Sequence, residues 1–264
     1  MSTATSRDRT PIGYERTGSG PAVILVDGAL CFRGSSPMQA LAPLLADRFT
    51  VYTYDRRGRG ESGDTPPYAI DREVEDLSAI LDIAGGGACL YGVSSGAVLA
   101  MLAAERGTTS AAERCAAIAK VALFEPPLYL DDQAPQRKLT QQIAWMIMAG
   151  RRADALEHFQ SAIGIPQEVI IKQRLLPTRS ALEALAHTLV YDTTITVSLP
   201  RTRLAGIATP ALVIDSEGSS PTLRKLAGEV CDAMPDCQRH SLAGGVHDVP
   251  AEELAPVLTE FFAQ

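Results

Sequence analysis

The run Leu90-Tyr91-Gly92-Val93-Ser94-Ser95-Gly96 limits what this chain can fold into more than any other stretch. Apolar residues from Ala88 lead into it. Ala97-Val98-Leu99-Ala100-Met101-Leu102-Ala103-Ala104 follows it, a strong helix-forming sequence. A buried strand that turns sharply into a helix holds the residue at the turn in a strained backbone conformation. Gly92 and Gly96 flank Ser94 at two residues on either side, and without a Cβ they let strand and helix approach closely. The Ser94 hydroxyl then stands clear of the backbone at a helix N-terminus. Free N–H groups and the helix dipole favour negative charge there, as an oxyanion requires. An ordinary glycine-rich turn could carry the same pentapeptide. The apolar strand before it and the helix after it are what make Ser94 a candidate nucleophile.

The elements around that turn specify the fold class. Strands are read at 13–17, 22–26, 49–54, 88–91, 120–124, 210–214 and 236–242. The run Ala22-Val23-Ile24-Leu25-Val26 is apolar throughout, as expected of a strand buried on both faces. Helices are read within 37–46 and at 72–83, 97–104, 221–234 and 250–262. In the second of these, Val74, Leu77, Ile80 and Leu81 share one face. Strands alternating with helices predict an α/β fold, a mostly parallel central sheet with helices on both faces. Residues 1–11 read as a flexible lead. Residues 128–204 break the alternation, with helical stretches at 139–149, 151–163, 167–176 and 179–189 and no clear strand. The expected organisation is a core domain of residues 1–127 and 205–264 with a helical cap of residues 128–204. The cap would lie over the strand carboxyl ends, where open α/β sheets bind ligands.

The net charge of −7 argues against nucleic acid as a partner. No apolar run reaches about 18 residues, so no membrane span or membrane partner is expected. The first residues contain no apolar signal core, which makes a cytoplasmic location the expectation. Cys31, Cys89, Cys115, Cys231 and Cys237 form no C-x-x-C pair, and no histidine sits at zinc-ligand spacing. Reduced thiols, no metal and no organic cofactor are expected. The expected partner is a small-molecule substrate, and a homodimer is compatible with the sequence.

Four features together resemble the α/β-hydrolase fold family, over nearly the whole chain. They are the turn at Ser94, the D-x-R-G-x-G-x-S run from Asp55 to Ser62, the strand-ending Asp27-Gly28, and Gly244-Gly245-Val246-His247. The resemblance is to the branch with a serine nucleophile, and it implies nucleophile, acid and histidine in that chain order. The Asp55–Ser62 run is structural in most members and is given no catalytic role. Many relatives carry His-Gly where this chain has Asp27-Gly28, and Asp27 can shape that loop through bonds to backbone N–H groups. Relatives usually place the acid after the strand matching 211–214, but the corresponding position here is Ser219, which cannot serve. Asp215 and Glu217 lie nearer the strand. Some branches instead take the acid from the strand after the elbow, where this chain has Glu125. The pair Gly92-x-Ser94-Ser95-Gly96-Ala97 and Glu125-x-Pro127 is similar to fungal zearalenone lactonases and related bacterial hydrolases.

These expectations assemble into a serine hydrolase of a carboxylic ester or lactone. His158 and His187 fall in the helical insertion as surface residues, and His240 falls within a strand. His247, in a glycine-flanked loop, is the candidate base. Glu125 is the first candidate for the acid that orients it, with Asp215 and Glu217 as alternatives. The backbone N–H groups of Ala29 and Ser95 are the candidate oxyanion hole. Gly28, Leu30 and the single tryptophan Trp145 are candidates for substrate contact, with Arg33, Tyr129 and Tyr191 behind them. Carbon–carbon bond cleavage on the same fold and a non-catalytic ligand receptor are the rival readings.

Overall fold

The computed structural model describes residues 2–109 and 118–264. Its strands are β1 (Ser2–Thr5), β2 (Pro11–Gly18), β3 (Ala22–Val26), β4 (Thr50–Tyr54), β5 (Cys89–Val93), β6 (Lys120–Phe124), β7 (Ala211–Ser216) and β8 (Cys237–Leu242). They form one eight-stranded sheet in the order β1-β2-β4-β3-β5-β6-β7-β8. β1, β2 and β4 pair antiparallel, and every pairing from β4 to β8 is parallel.

The central strands are apolar throughout because both faces are covered. Val23 and Leu25 of β3 face a core shared with α1 (Met38–Leu45) and α11 (Ala251–Ala263). Ile24 and Val26 face a core shared with α2 (Ile70–Ala84), α3 (Ser95–Thr109) and α10 (Pro221–Ala233). β6 and β7 divide their residues between the two cores in the same alternating way. Each fully buried Leu, Ile or Val contributes about 1.5–3 kcal/mol. Both layers are therefore needed to hold the sheet, and β5 sits at its centre. No helix among the described residues is long and apolar enough to cross a membrane.

Residues 2–5 are not a flexible lead; they pair with β2, Ser2 opposite Tyr14 and Thr5 opposite Pro11. Ala4 is the one apolar side chain in that strand and it is buried, so hydropathy carried little sign of it while the β-branched threonines did. Nor are the described thiols all reduced. Cys231 and Cys237 form a disulfide between the end of α10 and the start of β8, with Cα atoms 5.4 Å apart. The chain reverses between helix and strand, which brings two cysteines six positions apart into bonding range without a C-x-x-C pattern. Cys31 and Cys89 are free. Cys115 lies outside the described residues.

Between β6 and β7 the chain runs through α4 (Ala134–Met148), α5 (Arg152–Ala162), α6 (Gln167–Gln173), α7 (Arg179–Leu185), α8 (Leu189–Ile195) and α9 (Arg201–Leu204). The single helix expected at 179–189 is split by a 3₁₀ turn at Ala186–Thr188. These helices have a core of their own, built from Leu139, Ile143, Ala155, Leu156, Phe159, Ala186 and Leu189. Ala29 and Leu30, just past the carboxyl end of β3, pack against it.

Candidate active site

Ser94 follows β5 directly and has φ +55°, while α3 begins at the next residue. Its N–H donates to Phe124 O at 2.9 Å, and its C=O accepts from Ala97 N at 2.9 Å. A Cβ on Gly92 would lie 2.5 Å from Gly96 O and 2.7 Å from Ala97 Cα; one on Gly96 would run into Val26 O and Asp27 O. All of those atoms are backbone and cannot swing away. Gly96→Ala should therefore cost about 3 kcal/mol of stability in urea unfolding. A wild-type midpoint would contradict this account of the turn.

A residue other than glycine pays roughly 1–3 kcal/mol to sit at positive φ, so such positions persist only where the surroundings hold them. The described residues in that state are Arg9, Leu30, Ser94, Glu125 and His247. All but Arg9 are site candidates, so the backbone strain is concentrated where the chemistry was expected.

Glu125 follows β6, one strand over from the elbow, and its side chain is fully buried. Its Oε1 accepts from Ser216 N at 3.0 Å and Ser216 Oγ at 2.8 Å. Its Oε2 accepts from His247 N at 2.8 Å. The same oxygen lies 2.6 Å from His247 Nδ1, close but off the axis of a straight N–H···O bond. The Ser216 hydroxyl also lies 2.6 Å from Gly245 O and has one proton to share between the two acceptors. Its backbone N–H keeps Oε1 satisfied either way. Burial alone would raise the Glu125 pKa; the bonds and charge of His247, then those of Ser216, outweigh it and hold it down at about 2. Glu125 is therefore an anion throughout the neutral range. Its folded pKa is depressed, so the stability it contributes is complete above about pH 4.5 and is lost as pH falls through about 2.

The other acid candidates are not near His247. β7 continues through Ser216, two residues past its expected end, so Asp215 lies inside the strand rather than in a loop. Its buried carboxylate accepts from Arg239 Nε at 2.8 Å, Ser241 Oγ at 2.8 Å and Arg224 Nε at 3.2 Å. Glu217 is exposed. Ser216 was missed from the sequence, and only the correct strand length would have revealed it.

Phe124 connects the two halves of the site. Its carbonyl accepts the Ser94 N–H, and its ring lies edge-on to the His247 imidazole with centroids 6.1 Å apart. The Ser94 hydroxyl has no hydrogen-bond partner among the described residues and is only half-buried, which leaves it uncommitted.

Gly28 lies against Ser94. A Cβ there would sit 3.2 Å from Ser94 Cβ and 3.1 Å from Val93 O. Among the described residues, neither the Ala29 N–H nor the Ser95 N–H has an acceptor. Contrary to the expectation from sequence, the Asp27 carboxylate takes no backbone N–H among the described residues; it accepts from Ser36 Oγ at 2.6 Å. The loop is held instead by the Asp55–Ser62 turn: Arg56 Nη1 donates to Asp27 O at 3.2 Å and Arg59 Nη1 to Gly28 O at 2.5 Å. Burial raises the Asp27 pKa to about 6 against the bond from Ser36 and the charges of Arg59 and Arg56. The folded protein thus holds this proton more tightly than the unfolded chain, and Asp27 should cost about 3 kcal/mol once pH has risen well past its folded value of about 6. Asp27→Asn should therefore gain about 2 kcal/mol more over wild type in urea at pH 7.5 than at pH 4.5. An equal difference at both pH values would contradict this.

Trp145 has a surface placement, 59% exposed with the Arg151 guanidinium 5.3 Å from its ring centroid. Its neighbours Met146 and Ile147 pack on the same helical core as Leu30. Arg33 is taken up by Asp55, Glu61 and Glu15. Tyr191 donates to Asp64 at 2.9 Å and stacks on Tyr68.

The model of the alpha/beta hydrolase family matches residues 18–257. An alpha/beta hydrolase from Sphaerobacter thermophilus is 42% identical in sequence, with TM-score 0.87 over 99% of this chain and 100% of that one. A thermophilic esterase from Thermogutta terrifontis has the same fold at 20% identity, with TM-score 0.77 over 99% of this chain and 97% of its own. An uncharacterized hydrolase of Bacillus subtilis, YraK, is 34% identical over 94 residues, and the match spans only 34% of either chain.

Proposed function

This chain belongs to the alpha/beta hydrolase family, and on that premise we propose that it is a serine hydrolase of a carboxylic ester or lactone. The observation that carries the reading is the 2.6 Å contact between His247 Nδ1 and a buried, ionised Glu125, one strand from the elbow serine. Glu125 keeps the proton on Nδ1, which leaves Nε2 free to accept one from Ser94 Oγ. Oγ attacks the ester carbonyl. The N–H groups of Ala29 and Ser95 receive the charge that develops on its oxygen, each worth about 3–4 kcal/mol in the transition state. The imidazolium then protonates the departing alkoxide. Water, deprotonated by His247, attacks the acyl-enzyme and releases the acid and free Ser94. In a lactone the alcohol and the acid leave as one molecule.

Residues 128–204 act as the cap in this reading. Leu30, Met146 and Ile147 share the apolar core beside Gly28, which suits a small, fairly apolar acyl or alcohol group. The esterase likeness gives the fold and agrees with this substrate class. The test is a panel of p-nitrophenyl esters and simple lactones, together with a fluorophosphonate probe and peptide mass spectrometry. Hydrolysis and a label on Ser94 are expected. A protein that neither hydrolyses the panel nor takes the label would be a ligand receptor on this fold.

A further inference from the structure

A second set of charged side chains is buried beneath the candidate oxyanion loop. Arg56 and Arg59 come from the Asp55–Ser62 turn, Glu73 from α2 and Asp192 from α8, and each is 2% exposed or less. Arg59 Nη2 donates to both Asp192 oxygens, at 2.8 and 2.9 Å. Arg56 Nη1 donates to Asp192 Oδ1 at 2.9 Å, and its Nε donates to Glu73 at 2.8 Å. Ser95 Oγ donates to Asp192 Oδ1 at 2.7 Å and lies 3.1 Å from Arg56 Nη1. Two cations and two anions balance. Burying four charges is nonetheless costly, and well-packed apolar residues would hold a fold as well or better. The turn does not need them, because Asp55 already closes it, accepting from Glu61 N at 3.0 Å on its carboxylate and from Ser62 Oγ at 2.5 Å on its carbonyl.

The cluster touches both sources of the oxyanion hole. Arg59 holds Gly28 O at 2.5 Å. A peptide unit is planar and trans, so the Gly28 carbonyl and the Ala29 N–H point in opposite directions within one plane. A guanidinium fixed on the carbonyl therefore aims the N–H on the far side. It also polarises the unit and makes that N–H a stronger donor. Ser95, whose N–H is the second donor, is tied by its hydroxyl to Asp192 and Arg56.

We propose that Arg59 and Asp192, acting with the Ser95 hydroxyl, are positioning residues that aim the Ala29 and Ser95 N–H groups at the oxyanion. The proposal rests on the acyl-transfer reading of Ser94. It also gives the 128–204 segment a part in catalysis beyond covering the substrate, because Asp192 belongs to α8. The Arg59–Asp192 pair and the Ser95 hydroxyl turn two loose backbone donors into a fixed pair.

The test uses the full-length protein in two forms, Ser95→Ala and the charge-balanced double variant Arg59→Met/Asp192→Leu. The readouts are kcat and KM on an ester the wild type hydrolyses, and inhibition by an aryl trifluoromethyl ketone, which forms a tetrahedral oxyanion on the serine. The double variant should lose about a hundredfold in kcat and Ser95→Ala about tenfold. Ketone affinity should fall in parallel. KM and the pH profile should hold, because the His247–Glu125 contact is untouched. Folded variants that keep both kcat and ketone affinity would show the cluster to be structural only. If the double variant does not fold, Ser95→Ala decides alone by the same criterion. A wild type that neither hydrolyses esters nor takes a fluorophosphonate label would overturn the acyl-transfer reading itself, and this proposal with it.

Discussion

Replacing Ser94 by alanine should lower turnover of any ester the wild type accepts by about 10⁶-fold, with the unfolding midpoint close to wild type. The substitution removes one oxygen that has no hydrogen-bond partner among the described residues, so little structure is lost with it. Alanine keeps the Cβ that already meets Gly28, and the backbone bond to Phe124 O does not involve the side chain. His247→Ala should cost nearly as much, because a nucleophile that cannot shed its proton is as idle as one that is absent. The pair is expected to be non-additive: Ser94→Ala/His247→Ala should be no slower than either single variant. Steady-state kinetics beside a fluorophosphonate labelling gel checks both points. Turnover in Ser94→Ala within tenfold of wild type would place the nucleophile elsewhere.

Much of this site could be read from the sequence because its parts sit at strand ends, and buried parallel strands are conspicuous. β3 begins and ends where its apolar run does, and β6 ends with its apolar run at Phe124. Ser94 and His247 followed from the glycines around them, Gly28 from the end of β3, and Glu125 from the resemblance to branches that take their acid after the strand next to the elbow. What was not legible is side-chain placement across long separations. Arg56 and Arg59 read as part of a structural turn; that they reach Asp192, more than 130 positions on, depends on how α8 packs. Ser216 was hidden because β7 ends in polar residues, which hydropathy cannot tell from a loop. Trp145 stands out in the sequence as the single tryptophan, and only the packing of α4 could show that its ring is exposed while Met146 and Ile147 face the apolar core. The Cys231–Cys237 bridge depends likewise on a chain reversal that composition does not announce.

The choice among the three carboxylates gives the second large effect. Glu125→Gln should lower kcat by about 10⁴ while the protein stays folded. The amide keeps the length of the side chain, and its oxygen can still accept from one of the neighbouring N–H groups. It has no negative charge to stabilise an imidazolium, and its NH₂ end favours the His247 tautomer with the proton on the wrong nitrogen. Stability should fall as well, since Glu125 accepts from Ser216 N, Ser216 Oγ and His247 N and an amide oxygen cannot satisfy all three. Asp215→Asn should show the reverse pattern. Its carboxylate is buried between Arg224 and Arg239 and contacts neither Ser94 nor His247 among the described residues, so neutralising it weakens the β7–β8 edge while kcat stays within a few-fold. Glu217→Gln, on an exposed side chain, should change neither. Comparing kcat with the urea midpoint in the three variants separates orientation of the base from support of the sheet. A large loss of kcat in Asp215→Asn with Glu125→Gln near wild type would move the acid to β7.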